Sequence, residues 1–332
     1  MVKKTIFNKF KAVILAGGSG ERFWPLSTSE KPKQFLKVFG GDSLIRQSVN
    51  RLAGMVAPQD VFVVTSKDLT AATIRELPEL PNGNVVGEPL RRDTGAAIAL
   101  GVGLAGRDDD IIGFFSSDQM VSDVKKFHRA LAKAIKIAAQ KDAIVTLGIK
   151  PSYAATCFGY VNPATGRFIE KPTARKAAHY LLKGYLWNAG MFIARASVFR
   201  AAFATHAPSL SALAQGSFKT TRLKSVYEQL EKISFDYAVM EKLSRVEVVK
   251  GDFGWDDVGS YVAFDKYFPH DSRGNVREGP VTVVEADDNI CIARSARISL
   301  LGVSNLVVVT TPDAVLVADK GRLSDMKKLF GK

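Results

Sequence analysis

Residues 12–36 read AVILAGGSGERFWPLSTSEKPKQFL, and this stretch decides what is expected of the rest of the chain. Ala12 to Ala16 is a short apolar run with β-branched Val13 and Ile14, closed by glycine, the pattern of a strand buried in a parallel sheet. Gly17, Gly18 and Gly20, with Ser19 among them, follow at once. Backbone without Cβ can turn sharply and come close to a ligand, and its free N–H groups can surround an anion. Arg22 and Lys33 add positive charge on the same connection, so strand, loop and cations form a phosphate-handling arrangement. Two better-known phosphate loops are excluded. No Lys-Ser or Lys-Thr follows the last glycine, and Phe23 stands where the GxGxxG pattern needs glycine. The glycines alone would equally suit a tight strand-to-loop turn with no ligand, since α/β folds place such turns at many strand ends.

The chain has 332 residues, enough for one large or two modest domains with a sizeable core. Hydrophobic residues at 46% and charged residues at 24% are ordinary for a soluble globular protein. A formal charge of +13 favours anionic partners: nucleic acid, a membrane surface or phosphorylated small molecules. The basic residues are dispersed and no aromatic–basic motif accompanies them, so nucleic acid is not expected as a partner. Cys157 and Cys291 are too few for a disulfide framework or a cysteine zinc site, and His128, His179, His206 and His270 are scattered. The opening MVKKTIFNKF lacks the apolar stretch of a secretion signal, and no run approaches the ~18 apolar residues of a membrane span. A cytoplasmic protein without a membrane partner is expected.

Strands are predicted at 61–65, 84–87, 111–115 and 143–148, and helices from 44 onward and at 69–77, 96–105 and 125–140. Strand and helix in alternation indicate an α/β fold, a Rossmann-like, mixed and mostly parallel sheet. Thr94 reads as the N-cap of a small-residue helix at 96–105, whose N-terminus would favour negative charge. Asp118 falls just past the most apolar strand, where open α/β sheets bind ligands. It suits either Mg²⁺ or the cap of the next helix. From 150 the pattern changes to extended segments at 156–161 and 167–170 around a turn, then a helix at 174–183 with Thr173 as cap and Gly184 as stop. Residues 269–279 read as a turn-rich linker, and five short β segments beyond it as a small C-terminal β module, a β-helix being one form it could take. The domains expected are 10–268, the linker 269–279 and the module 280–332.

Several of these stretches, in order, resemble the sugar-nucleotide pyrophosphorylases, a nucleotidyltransferase family, in their mannose-1-phosphate guanylyltransferase branch. The resemblance rests on LAGGSGERFWPLS with KPKQFL, on Glu88-Pro89 and Arg92-Asp93-Thr94, on Asp118, and on Gly159-Tyr160, Glu170-Lys171-Pro172 and Tyr185-Leu186-Trp187-Asn188. It continues through Ser234-Phe235-Asp236-Tyr237, Gly254-Trp255-Asp256-Asp257 and the tail strands, and so covers about residues 11 to 320. The chain departs from the family at Asp93, where Asn is usual, at Gln119, where His is usual, and at Cys157, where glycine is usual.

The resemblance implies transfer of GMP from GTP to mannose 1-phosphate, giving GDP-mannose and pyrophosphate. Arg22, Lys33 and Asp118 would be catalytic, and Mg²⁺ would be the cofactor, on Asp118 and Asp257. Ala16, Gly17, Gly18, Gly20, Glu88, Arg92 and Thr94 would bind the nucleotide. Gly159, Glu170, Lys171 and Asn188 would bind the sugar phosphate, hydroxyls calling for acceptors and amides and the phosphate for a cation. A homo-oligomer, a dimer, is expected. The chain stops where bifunctional relatives continue into an isomerase domain, so no isomerase activity is expected. Two other readings stay open: a non-catalytic sugar-nucleotide-binding subunit, suggested by the three departures, and a pyrophosphorylase for another hexose 1-phosphate.

Overall fold

A computed structural model describes residues 7–18, 20–216 and 223–330; Ser19 of the glycine loop lies outside the described residues. The chain divides into two compact units, Met1–Gly17 with Arg46–Asp256, and Gly18–Ile45 with Asp257–Lys332.

In the first unit the strands are β1 (Phe10–Ala16), β2 (Val61–Ser66), β3 (Val85–Glu88), β4 (Ile111–Ser116), β5 (Met120–Val121), β6 (Val145–Ile149), β7 (Tyr160–Val161), β8 (Phe168–Ile169), β9 (Leu186–Arg195), β10 (Glu247–Gly251) and β11 (Trp255–Asp256). A nine-stranded sheet runs in the order β10-β6-β9-β4-β1-β2-β3, with β7 and β8 attached to β9. β1 is parallel to β2 and β4, β2 to β3, and β10 to β6, while β9 is antiparallel to β4, β6 and β7. The sheet is therefore mixed and mostly parallel. β4 stands at its middle because its residues are apolar on both faces, buried from Ile111 to Phe115. Gly113 is required there, since an added Cβ would lie 2.9 Å from the rings of Phe10 and Phe115.

The helix Asp93–Ala105 is buried on almost every side, which its small residues permit. A Cβ on Gly101 would meet Phe114 at 2.7 Å and Val13 at 2.9 Å. This helix starts earlier than its sequence suggests, and Thr94 is not its N-cap. Asp93 takes a left-handed φ of 66° and bonds the Thr94 amide at 2.7 Å, so Asp93 supplies the first-turn acceptor. The Thr94 hydroxyl instead accepts from the Phe235 amide at 2.9 Å. Asp123 caps the amphipathic helix Val124–Gln140 through the Lys126 amide, at 2.8 Å.

The second unit contains the 3₁₀ turns Glu21–Phe23 and Lys33–Phe35 and the strands β12 (Val276–Glu278), β13 (Val281–Val284), β14 (Ile290–Ala293), β15 (Ile298–Leu301), β16 (Leu306–Thr310) and β17 (Val315–Asp319). β12, β14 and β16 stack in parallel, as do β13 and β15, giving the coils of a β-helix, and β17 closes the stack antiparallel to β16. The stretch read as a linker holds β12 and the first rung of a buried asparagine ladder. Asn275 Nδ2 donates to the Ala286 carbonyl at 2.8 Å, and Asn289 Nδ2 donates to Asn275 Oδ1 at 2.9 Å. Asn289 Oδ1 in turn accepts from the Leu306 amide at 2.9 Å. Both asparagines are fully buried, because the ladder satisfies their amides at successive coil corners.

Asn289→Ala would strand the Leu306 N–H, worth ~1–3 kcal/mol when buried without a partner, while the Val303 carbonyl keeps the Asp287 amide as a donor at 3.2 Å. Denaturant titration should show a loss of about 1–3 kcal/mol. Arg273→Ala, which removes the exposed ion pair with Asp287, should cost under about 1 kcal/mol.

Candidate active site

The residues expected to hold a sugar phosphate come together in the first unit. β9 carries Asn188 at its buried start, and the Asn188 amide donates to the Gly159 carbonyl at 2.8 Å. Its side chain is fixed at both ends. Oδ1 accepts from Thr146 Oγ1 at 2.7 Å and from the Gly190 amide at 3.1 Å, and Nδ2 donates to Asp236 Oδ1 at 3.2 Å. Gly159 is needed for close approach, because a Cβ there would stand 2.5 Å from Glu170 Oε2. Glu170 pairs with Lys171 at 3.2 Å, and its amide donates to Glu241 Oε1 at 2.7 Å.

Charge in this pocket is densely packed. Burial pushes the Glu170 carboxyl up, with Lys171 pulling back and Glu241 adding to the rise. Burial works against the Lys171 ammonium, but Glu170 beside it, together with Asp236 and Tyr237, brings the net shift upward. Burial, with Glu170 next in weight, pushes Asp236 up to about 7. Asp236 and Glu241 are members of the pocket that the sequence reading leaves unassigned. A carboxylate beside Ser234 looks like part of a helix start, yet Ser234 itself is the cap, accepting from the Tyr237 amide at 3.4 Å.

Glu88 ends β3 almost buried. Burial raises its carboxyl to about 7, the Tyr227 hydroxyl donated to Oε1 at 3.1 Å opposing the rise and Asp93 adding to it. The Arg92 guanidinium is held by the carbonyls of Tyr227 at 2.8 Å and Glu228 at 3.2 Å, so this cation anchors the segment that supplies Tyr227. Asp118 follows β4, and Ser116 Oγ donates to its Oδ1. Beneath that turn lies a buried arginine the sequence did not single out: Arg51 donates to the Gln119 carbonyl. Burial lowers its guanidinium to about 10, Asp118 opposing the fall. Gln119 donates from Nε2 to the Ala189 carbonyl at 2.9 Å. Ala16 ends β1 fully buried, its carbonyl accepting from Thr65 Oγ1 at 3.1 Å, and Gly17 follows it with open space at its Cβ position.

In the second unit the cations meet the remaining carboxylate. Lys33 Nζ donates to the Asp257 carbonyl at 3.0 Å and lies 5.5 Å from the centre of the Phe23 ring. A Cβ on Gly259 would stand 3.1 Å from Asp257 Oδ2 and 3.5 Å from Arg22 Nη1, so Arg22 and Asp257 border one space. Gly18 takes a φ of 122° with open space around it, and Gly20 a φ of 64°. A Cβ on Gly20 would meet the Lys33 amide at 2.6 Å, so the loop closes on Lys33 only with glycine there.

These features are those of an α/β nucleotidyltransferase followed by a β-helix. The chain belongs to the nucleotidyl transferase family: the model of that family matches residues 11–273. Residues 279–332 match the MannoseP isomerase/GMP-like beta-helix domain. Among similar proteins are a mannose-1-phosphate guanylyltransferase of Klebsiella pneumoniae, 34% identical over 341 residues that cover 95% of this chain and 72% of the relative, and one of Escherichia coli with the same figures. The crystal structure of a Thermus thermophilus protein, described as mannose-1-phosphate geranyltransferase, matches with a TM-score of 0.88 at 34% identity, covering 97% of this chain and 98% of that one. Among the described residues no helix is long and apolar enough to cross a membrane.

Asp236 holds its proton in the folded chain at pH values where the unfolded chain, with a carboxyl near pH ~4, has released it. Its ionisation therefore costs stability as pH rises from about 4 to about 7, and costs nothing below. Asp236→Asn should melt higher than the parent at about pH 8 and lose that advantage as pH falls through 7 toward 4. Thermal unfolding of both proteins across that range checks this.

Proposed function

We propose that the chain transfers GMP from GTP to mannose 1-phosphate, giving GDP-mannose and pyrophosphate. The observation that carries this reading is the pocket of Gly159, Glu170, Lys171 and Asn188. It offers a carboxylate, an amide and a close-lying backbone for hexose hydroxyls, and an ammonium for the sugar phosphate.

The sugar-phosphate oxygen attacks the α-phosphate of GTP in line, and pyrophosphate departs with the electron pair of the broken P–O bond. The attacking oxygen is already anionic, so no side chain has to remove a proton. Catalysis is then alignment and charge neutralisation. Lys171 holds the sugar phosphate, Glu170 and Asn188 hold hydroxyls, and the glycine-loop amides with Arg22 and Lys33 neutralise the triphosphate and the departing pyrophosphate. Glu88 accepts from the N–H groups of guanine, donors that favour its ionised form. Arg92 and Thr94 act from behind, fixing the Tyr227 and Phe235 backbones.

Mg²⁺ takes one or two carboxylates and completes its octahedron with water and phosphate oxygens. Asp118 and Asp257 are hard-oxygen donors of this kind, and among the described residues no three His, Cys, Asp or Glu side chains gather into a cage for a different metal. These two residues would hold the ion, which when bound supplies charge neutralisation to the reacting phosphates. The reading also includes a homodimer in the cytosol.

A pyrophosphate-release assay with GTP, mannose 1-phosphate and Mg²⁺ tests the reaction, and turnover is expected. Binding of GDP-mannose in a calorimeter with no turnover for any nucleoside triphosphate and hexose 1-phosphate would favour a non-catalytic subunit. Asp118→Ala and Asp257→Ala should each lower kcat by at least about 100-fold while leaving the melting temperature within a few degrees.

A further inference from the structure

We propose that the 3₁₀ run Lys320–Phe330, at the end of the β-helix, is a buttress for the arginine-bearing loop, with Phe330 a positioning residue for Arg22. The proposal rests on the reading of Arg22 as a phosphate ligand.

Glu21–Phe23 is a three-residue 3₁₀ turn with no side-chain cap at Gly20, too short to hold its own shape. Its order comes from the two residues that follow Arg22. Phe23 is gripped by Tyr261, whose ring lies 5.3 Å away and whose hydroxyl donates to the Phe23 carbonyl at 2.8 Å and to the Trp24 carbonyl at 3.1 Å. Trp24 receives the Phe330 ring edge-on, at 5.9 Å between centroids and 79° between planes. The run that presents Phe330 is itself seated. Leu323 and Met326 are 3% exposed, and Lys320 pairs with Asp265 at 2.9 Å. Phe330 is 39% exposed, so truncating it removes an aromatic contact without opening the core. Arg22 is a long, exposed side chain whose reach depends on where its backbone stands. Phosphoryl transfer is sensitive to misplacement on the ångström scale. A module that looks accessory would thus set the position of a catalytic cation.

The test compares Phe330→Ala, Phe330→Tyr and Trp24→Ala in the full chain. Amide hydrogen exchange across 20–27 should quicken by about tenfold in Phe330→Ala while the β-helix amides at 276–310 keep their protection. Phe330→Tyr keeps the ring and should restore the slow exchange. Phe330→Ala added to Trp24→Ala should quicken exchange no further, since the contact is already gone. In turnover, Phe330→Ala should lower kcat by about tenfold and leave the affinity for mannose 1-phosphate unchanged, the sugar pocket being untouched. Unchanged exchange at 20–27 would overturn the proposal. So would equal loosening of 20–27 and 276–310, or a loosened loop with unaltered kcat. Exchange needs no substrate, so a parent protein that transfers no nucleotide would refute the reaction while the exchange data alone decide the buttress.

Discussion

The loop that carries Arg22 and Lys33 cannot fold on its own residues. Its two helical turns span three residues each, and its aromatic side chains Phe23, Trp24 and Phe39 meet ring partners after residue 256. Lys33 bonds a carbonyl 224 positions away, and Tyr261 bonds carbonyls 238 and 237 positions away. Phe39 packs against Phe264, Tyr267 and Phe268. Each of these contacts closes a very long stretch of chain, and the entropy of closure grows only slowly with length. What the arrangement demands is mutual fit: Gly20 must leave room for Lys33, and Gly259 for Asp257 and Arg22. The glycines of the signature stretch answer this geometry as much as any ligand.

The sugar pocket obeys a different constraint. Glu170, Asp236 and Glu241 approach one another with a single ammonium, Lys171, in their midst. Burial favours the neutral form of Glu170 and Asp236, and proximity of like charge favours it further. Hexose hydroxyls can donate to carboxylates and a phosphate can pair with an ammonium, so the sugar phosphate proposed above would relieve this crowding of charge. The neutral Asn188 amide, tied at both ends, donates to one of these carboxyls, Asp236.

Sequence alone reveals the strands best where short apolar runs rich in β-branched or aromatic residues are buried on both faces, as in β1 and β4, since a run of that length and composition suits a central strand. It fails where polarity and exposure part company. Asn275 lies in a stretch of charges and turns that reads as a linker, yet it is fully buried because its amide is spent on the ladder. The start of the helix Asp93–Ala105 is obscured because an aspartate with positive φ, not the following threonine, provides the first acceptor. At the site, Gly159, Glu170, Lys171 and Asn188 are legible as motif residues. Arg51 and Tyr227 are not, since a buried arginine and a buried tyrosine carry no local pattern. Each matters through a group far along the chain: the Gln119 carbonyl for Arg51 and the Glu88 carboxyl for Tyr227.

The departures from the family pattern lose their force as arguments against catalysis once their surroundings are known. Asp93 is engaged in its own helix, bonding the Thr94 amide in a first turn where negative charge is favoured. Its charge does reach the site, adding to the upward push on Glu88 and on Asp236. That effect favours the protonated form of the Glu88 carboxyl. Gln119 uses its amide to tie the turn after β4 to the Ala189 carbonyl of β9, next to Asn188. It therefore does structural duty between the turn that carries Asp118 and the strand that carries Asn188. Cys157 is exposed and two residues ahead of Gly159, whose tight contact with Glu170 is intact. None of the three is a residue that the proposed function assigns to phosphate or sugar.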